Sequence, residues 1–185
     1  MRILGADLSL TSTGLALIER GRLIEVESFG TKGKRGDGYP EYYKRIVKQT
    51  ERARHVMSSW LYGFDLAVIE APSFGSKYGN PFERAGLWWA IYNDLALPGV
   101  PIATVPPKTR AKYITGDGNA DKATVLASAI EQYVTEDSPR ITNDDEADAV
   151  GLAAMGARHL GEPAEQREVA KPTLEAMEVV KWPKP

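Results

Sequence analysis

The 185-residue chain has a formal net charge of −2, and 43% of its residues are hydrophobic. This length suits one domain with a single core, and the sequence contains neither a membrane-spanning apolar run nor a signal-peptide pattern. Cysteine is absent, so disulfide bonds and thiolate metal sites are excluded. The near-neutral total charge does not by itself favour nucleic acid as a partner.

The charge is unevenly distributed along the chain. Residues 32–54 have a local net charge of +5, and residues 136–148 have a local net charge of −5. A basic rim around an acidic centre suits a metal-dependent nuclease, but two solvated charged faces would have the same composition.

The predicted elements begin with three strands, and strands and helices follow in turn. Three strands, 2–8, 13–19 and 22–28, precede a Gly-rich loop at 30–40 and a helix at 41–62. A strand in 64–72 leads to a helix from Pro81 to about residue 97, and a third apolar strand lies in 99–105. Helices are predicted at 106–116, at 120–134 with Asn119 as N-cap, and from Asn143 to before Gly161.

This order predicts an α/β fold with a mixed five-stranded sheet and helices on both faces. A three-stranded antiparallel meander would be extended by parallel strands, which begin near residues 2, 65 and 100. We expect one α/β domain over residues 1–161 and a C-terminal extension or tail over residues 162–185.

Four acidic residues follow these elements in a pattern that suggests a metal site. Alternation places Asp7 on the face of Ile3, and Glu70 on the face of Leu66, at the carboxyl ends of two strands. Asp145 and Asp148 share one face at the start of the last long helix. Oxygen ligands without cysteine suit Mg²⁺ or Mn²⁺, although strand-end and helix-start acids are often only turn and capping residues.

The motifs resemble those of RuvC-type Holliday junction resolvases of the RNase H-like superfamily. The resemblance is carried in order by ILGADLSLTSTGLALI, AVIEA, YITGDGNADKATV and DDEADAVGLA, between residues 2 and 160. It implies that residues 1–161 form an RNase H-like nuclease domain. It also implies a bacterial or phage enzyme of the cytoplasm that cuts four-way DNA junctions by paired nicks, without a nucleotide cofactor or a membrane.

The resemblance also implies roles for individual residues. Asp7, Glu70, Asp145 and Asp148 would hold two Mg²⁺ ions, with Mn²⁺ as a substitute, and Lys122 would lie near the scissile phosphate. Contacts to DNA would come from Lys108, Lys112, Arg110 and Phe74. The chain departs from the family in having Leu8 and Ser9 after the first aspartate, and in the longer spacing to Phe74.

A symmetric homodimer would suit the approximate two-fold symmetry of a junction. The helix at 81–97 has apolar residues around much of its circumference, and we expect a ridge of Trp88 and Tyr92 to form the contact. A helix enclosed in the core would show the same pattern.

Three other functions compete with junction resolution. The enzyme could prefer flaps or forks, or the chain could bind branched DNA without cutting it. The segment DLSLTSTG also resembles the phosphate-binding turn of actin-like and sugar kinases, but their two-domain architecture needs a longer chain.

Overall fold

The computed structural model describes residues 1–60, 63–72 and 81–184. In chain order the strands are β1 (Arg2–Asp7), β2 (Thr13–Glu19), β3 (Arg22–Phe29), β4 (Leu66–Glu70) and β5 (Ile102–Val105). The helices of the described residues are α1 (Tyr39–Ser59), α2 (Pro81–Ala96), α3 (Pro107–Thr115), α4 (Lys122–Tyr133), α5 (Asp144–His159) and α6 (Lys171–Glu178). None of these helices combines the length and the apolar character that a membrane span requires.

The five strands form one mixed sheet in the order β3-β2-β1-β4-β5. Strands β1, β2 and β3 pair antiparallel, whereas β4 is parallel to both β1 and β5. The predicted meander with added parallel strands is therefore confirmed. The carboxyl ends of β1 and β4 lie side by side, which is where an open sheet of this kind binds its ligands.

Each face of the sheet is covered by helices. Ile3, Leu66 and Val68 belong to a core with residues of α3, α4 and α5, while Leu4 and Ile69 belong to a second core with α1 and α2. Strand alternation explains this division, because successive side chains point to opposite faces. Asp7 and Glu70 share the register of Ile3 and Leu66 and thus lie on the α5 face of the sheet.

Two glycines allow α5 to approach the sheet very closely. A Cβ atom on Gly5 would lie 2.0 Å from the carbonyl oxygen of Ala149, and one on Gly14 would lie 2.1 Å from that of Asp145. Gly14 is also the cross-strand partner of Asp7. The backbone of α5 therefore rests against β1 and β2 beside Asp7, and this contact fixes the position of the acidic first turn.

Several predicted boundaries differ from the structure. Helix α1 begins at Tyr39 because the Glu41 carboxylate accepts the backbone N–H of Gly38 at 3.0 Å. The N-cap of α4 is Asp121, which accepts the backbone N–H of Thr124 at 2.8 Å, so the prediction of Asn119 was wrong.

The C-terminal segment contains a helix that the sequence pattern did not indicate. Thr173 and Ala176 of α6 are buried, and Glu175 forms an ion pair with Lys112 of α3 at 2.9 Å. Residues 162–184 therefore pack against the rest of the chain, and their treatment as a separate extension stays a prediction.

Candidate active site

A cavity of about 490 Å³ lies at the carboxyl ends of β1 and β4. It is lined by Asp7 of β1, Glu70 of β4, and both Asp145 and Asp148 of α5. The structure thus brings together all four carboxylates that the sequence pattern singled out, from three separate elements. Cationic and aromatic side chains complete the wall, namely Arg84, Trp88, Arg110 and Lys122.

Three of these carboxyl groups are held in surroundings that disfavour their charge. Burial raises the pKa of Asp7 to about 6, with Asp145 adding to the rise and Arg110 opposing it. Burial and the charge of Asp7 raise the pKa of Glu70 to about 8, and burial raises that of Asp148 to about 7. Perturbed acids that share a cleft indicate a functional site, because mutual repulsion and burial are tolerated there for a chemical reason.

Arg110 lies among these acids as their internal counter-ion. Its Nη1 donates to Glu70 and forms an ion pair with Asp148 at 2.9 Å, and the residue is only 9% exposed. Its Nε is buried without a hydrogen-bond partner among the described residues. One guanidinium therefore compensates part of the negative charge of the cavity.

The first turn of α5 separates the acids that face the cavity from those that do not. Asn143 caps the helix by accepting the backbone N–H of Glu146 at 3.0 Å. The Glu146 carboxylate accepts hydrogen bonds from Thr142 and Ser28, so this buried acid has a structural role. Asp144 pairs with Lys122, while Asp145 accepts a hydrogen bond from Ser12 and lines the cavity.

Comparisons with known proteins agree with this arrangement. The chain is 30% identical over 160 residues to the crossover junction endodeoxyribonuclease RuvC of Synechococcus sp. strain WH7803, covering 84% of this chain and 97% of that protein. It is 26% identical over 178 residues to the RuvC of Mycobacterium leprae, covering 86% of this chain and 92% of that protein. The chain belongs to the RuvC family of crossover junction endodeoxyribonucleases.

Solved structures support the same fold. Thermus thermophilus RuvC aligns with a TM-score of 0.63 at 19% identity, over 88% of this chain and 98% of that chain. The structure titled T. thermophilus RuvC in complex with Holliday junction substrate also gives 0.63, at 17% identity over 88% and 97% of the two chains. No family model matches the chain. Together with the sequence relatives, these structures confirm the RuvC-type, RNase H-like fold.

The other residues that RuvC resemblance singled out lie in varied places. Lys122 is at the cavity rim with 82% of its side chain exposed. Lys108 is exposed on α3 but does not line the cavity, and Lys112 is paired with Glu175 of α6. Arg110 is buried against Glu70 and Asp148, and its predicted contact with DNA stays a prediction. Phe74 lies outside the described residues.

Sequence reasoning missed one contributor to the cavity wall, Trp88, and one hydrogen-bond partner of its acids, Ser12. Trp88 was expected on the surface of α2, but it is 8% exposed and its indole N–H donates to the carbonyl oxygen of Glu70 at 2.9 Å. The sequence pattern did not single out Ser12, although its hydroxyl donates to Asp145. Ser12 lies within the first motif, in the turn between β1 and β2, and this position is the only signal that could have indicated its contact.

Nucleases of the RuvC family are metal-dependent, and the donors of this cavity suit a hard divalent ion. Four carboxylates supply oxygen ligands, and the raised pKa values of three of them show that the cavity disfavours their charged forms, which a bound cation would stabilise. Among the described residues, however, no group of three acidic or imidazole side chains is gathered closely enough to hold an ion. Arg110 stands between Glu70 and Asp148, so the acids fit a metal in type and place once that pairing loosens.

Proposed function

We propose that this RuvC-family chain cuts four-way DNA junctions with Asp7, Glu70, Asp145 and Asp148 as its metal ligands. One observation carries the proposal: four carboxylates from β1, β4 and α5 line a single cavity at the carboxyl ends of neighbouring strands. The reaction is hydrolysis of a phosphodiester bond, in paired nicks on opposed strands of the junction.

The carboxylates would hold two Mg²⁺ ions, for which Mn²⁺ would substitute. In this position two metal ions would provide activation of the attacking water and charge stabilisation at the leaving oxygen. The chain holds its ligands on two strands and a capped helix, and this limits the reorganisation that catalysis requires. Ser12 orients Asp145 through its hydrogen bond, and Trp88 fixes the backbone at Glu70.

Lys122 contributes a positive charge at the cavity rim. Its ammonium group pairs with Asp144, which orients the side chain while leaving it largely exposed to a substrate. We assign Lys122 to the phosphate at the cleavage position and Lys108 to the flanking backbone. Phe74 stays a candidate for stacking on junction bases, and the ion pairs of Arg110 and Lys112 argue for a smaller part in DNA contact.

The same proposal includes a homodimer that acts in the cytoplasm of a bacterial or phage-infected cell. Trp88 is buried, so the predicted ridge of Trp88 and Tyr92 was wrong as an exposed contact. The apolar surface of α2 is instead carried by Phe82 and Trp89, which are 87% and 61% exposed. These two residues are seven positions apart and thus share one face of the helix, where a second copy could bury them.

A cleavage assay on synthetic DNA tests the catalytic part. Four-way, flap and linear substrates are incubated with Mg²⁺ and the unmodified chain, Asp7→Asn, or Asp137→Asn as a control at an exposed acid outside the cavity. We expect junction cutting by the unmodified chain and the control, and binding without cutting by Asp7→Asn, because phosphate contacts supply most of the affinity.

Other outcomes would favour the competing functions. Preferential cutting of flaps would replace the substrate, and tight junction binding without cutting by the unmodified chain would favour a non-catalytic DNA-binding protein. Cutting by Asp7→Asn at the parental rate would remove Asp7 from the metal site.

Sedimentation tests the dimer. Trp89→Glu should give monomers at micromolar concentration, whereas Glu83→Gln on the same helix should leave the dimer intact. A monomeric parent, with or without junction DNA, would contradict this part of the proposal.

A further inference from the structure

A second cavity of about 510 Å³ adjoins the catalytic one, on the side of the β1–β2 turn. Its lining includes the hydroxyl residues Ser9 and Thr11, the basic loop residues Lys34 and Arg35, and Arg45 of α1. Ser9 and Arg84 line both cavities. The two cavities are therefore neighbours that a continuous ligand could occupy together.

The cations of this second cavity outnumber its acidic residues. Lys34, Arg35, Arg45 and Arg84 form no ion pair with any residue that the structure describes. The single carboxylate in the lining, Asp37, accepts the backbone N–H of Lys34 at 2.7 Å and closes the loop. The lining thus has a net charge of +3.

Two of the four arginine and lysine side chains, those of Arg45 and Arg84, are partly buried. Arg45 donates to the carbonyl oxygens of Thr31 and Leu10 at 2.7 and 3.1 Å, which are neutral acceptors that leave its charge uncompensated. The Nε of Arg84 is buried without a hydrogen-bond partner among the described residues. A buried donor without an acceptor is costly, and an anion that reaches Arg84 would relieve this cost.

We infer that this cavity binds a backbone phosphate of the DNA strand whose scissile bond lies in the catalytic cavity. A phosphodiester has the negative charge and the several acceptor oxygens that arginine and lysine recognise. The shared walls at Ser9 and Arg84 favour a phosphate of the same strand over an isolated anion. The inference rests on the proposed function for the placement of that strand, but not for the charge of the cavity.

Salt-dependent binding measures the contact. Lys34→Gln/Arg35→Gln and Arg84→Gln are compared with Lys184→Gln. Lys184 lies beside Met1 and His159, near the amino end of β1 and thus at the opposite end of the strands. Each lost phosphate contact should reduce the slope of log K against log salt concentration by about one. The control should keep the parental slope, and unchanged slopes in both cavity variants would overturn the inference.

A neutral linkage in the DNA locates the phosphate. Methylphosphonates are placed singly at positions flanking the cleavage site, and affinities are measured for the parent and for Lys34→Gln/Arg35→Gln. At one position the methylphosphonate should weaken DNA binding by the parent but not by the variant. If at every position the losses of affinity caused by the methylphosphonate and by the substitutions add, a specific subsite is refuted. The effect of inorganic phosphate on thermal unfolding is a second measurement. An equal stabilisation of the parent and of Lys34→Gln/Arg35→Gln would also refute a specific phosphate subsite.

The two proposals fail in different ways. If the parent does not cut junctions but the methylphosphonate coupling is present, the subsite stands and the nuclease assignment fails. If the parent cuts and the coupling is absent, the nuclease stands and the subsite is refuted.

Discussion

Replacing Asp7 by asparagine should stabilise the metal-free protein at neutral and alkaline pH while it abolishes cleavage. The pKa of Asp7 is raised from 3.8 to about 6 in the folded protein, chiefly by burial. A carboxyl with a raised folded pKa contributes stability that is fully present below about pH 4. This stability is lost as the pH rises through about 6, because the folded state then holds a charge that it disfavours.

The size of the effect follows from the shift. Two pKa units correspond to about 3 kcal/mol, and this is an upper limit because the Asp7 side chain is partly exposed to the cavity. Asparagine does not titrate. The free energy of unfolding of Asp7→Asn minus that of the parent should therefore increase by roughly 2–3 kcal/mol between pH 4 and pH 8.

Urea unfolding in EDTA at several pH values measures this difference. Asp137→Asn, at an exposed acid outside the cavity, is the matched control for the loss of one carboxyl group. Adding Mg²⁺ should stabilise the parent more than Asp7→Asn and so narrow the gap at pH 8. If the difference in free energy of unfolding between Asp7→Asn and the parent is equal at pH 4 and pH 8, or if Mg²⁺ increases it, burial does not disfavour the charge of Asp7 as stated.

Three further predictions concern the surroundings of Asp7. Arg110→Gln should lower the midpoint temperature of thermal unfolding in EDTA, because two buried acids lose their counter-ion. It should also increase the rise in this midpoint that Mg²⁺ causes, and differential scanning fluorimetry measures both. Gly5→Ala should destabilise the chain by about 1–3 kcal/mol or more, since its Cβ would strike the α5 backbone, whereas Gly63→Ala meets no atom within 4 Å. Junction cutting should proceed with Mg²⁺ or Mn²⁺ and be weak with Ca²⁺, whose looser coordination misplaces the attacking water; equal rates with all three ions would contradict the assignment.

Much of the sheet could be predicted because its signals are local. Alternation along β1 places Asp7 on the face of Ile3, and a strand pattern broken by Pro72 places Glu70 at the end of β4. Both acids then reach the same edge through parallel pairing, which the order of strands and helices indicates. No long-range contact had to be known for these steps.

The features that escaped prediction depend on contacts between distant residues. Trp88 belongs to a helix that is apolar around much of its circumference, so periodicity could not say which aromatic residue faces the core. Helix α6 has only eight residues, and the burial of Thr173 and Ala176 against the rest of the fold supports it. Basic residues are solvated by default, and for this reason the burial of Arg110 could not be read from its neighbours in sequence.

The placement of Arg110 suggests how the chain tolerates its acidic cavity without a metal. Four carboxylates share the cavity. Among the described residues, the arginine and lysine side chains of its lining are those of Arg84, Arg110 and Lys122. Arg110 pairs with Glu70 and Asp148, while Lys122 pairs with Asp144 outside the lining. Asp7 and Asp145 therefore lack an ion-pair partner among the described residues. These two carboxyl groups lie where β1 meets α5. Asp7 and Asp145 would therefore be the first carboxylates to hold a divalent cation, whereas Glu70 and Asp148 would join them only when their pairing with the Arg110 guanidinium is released.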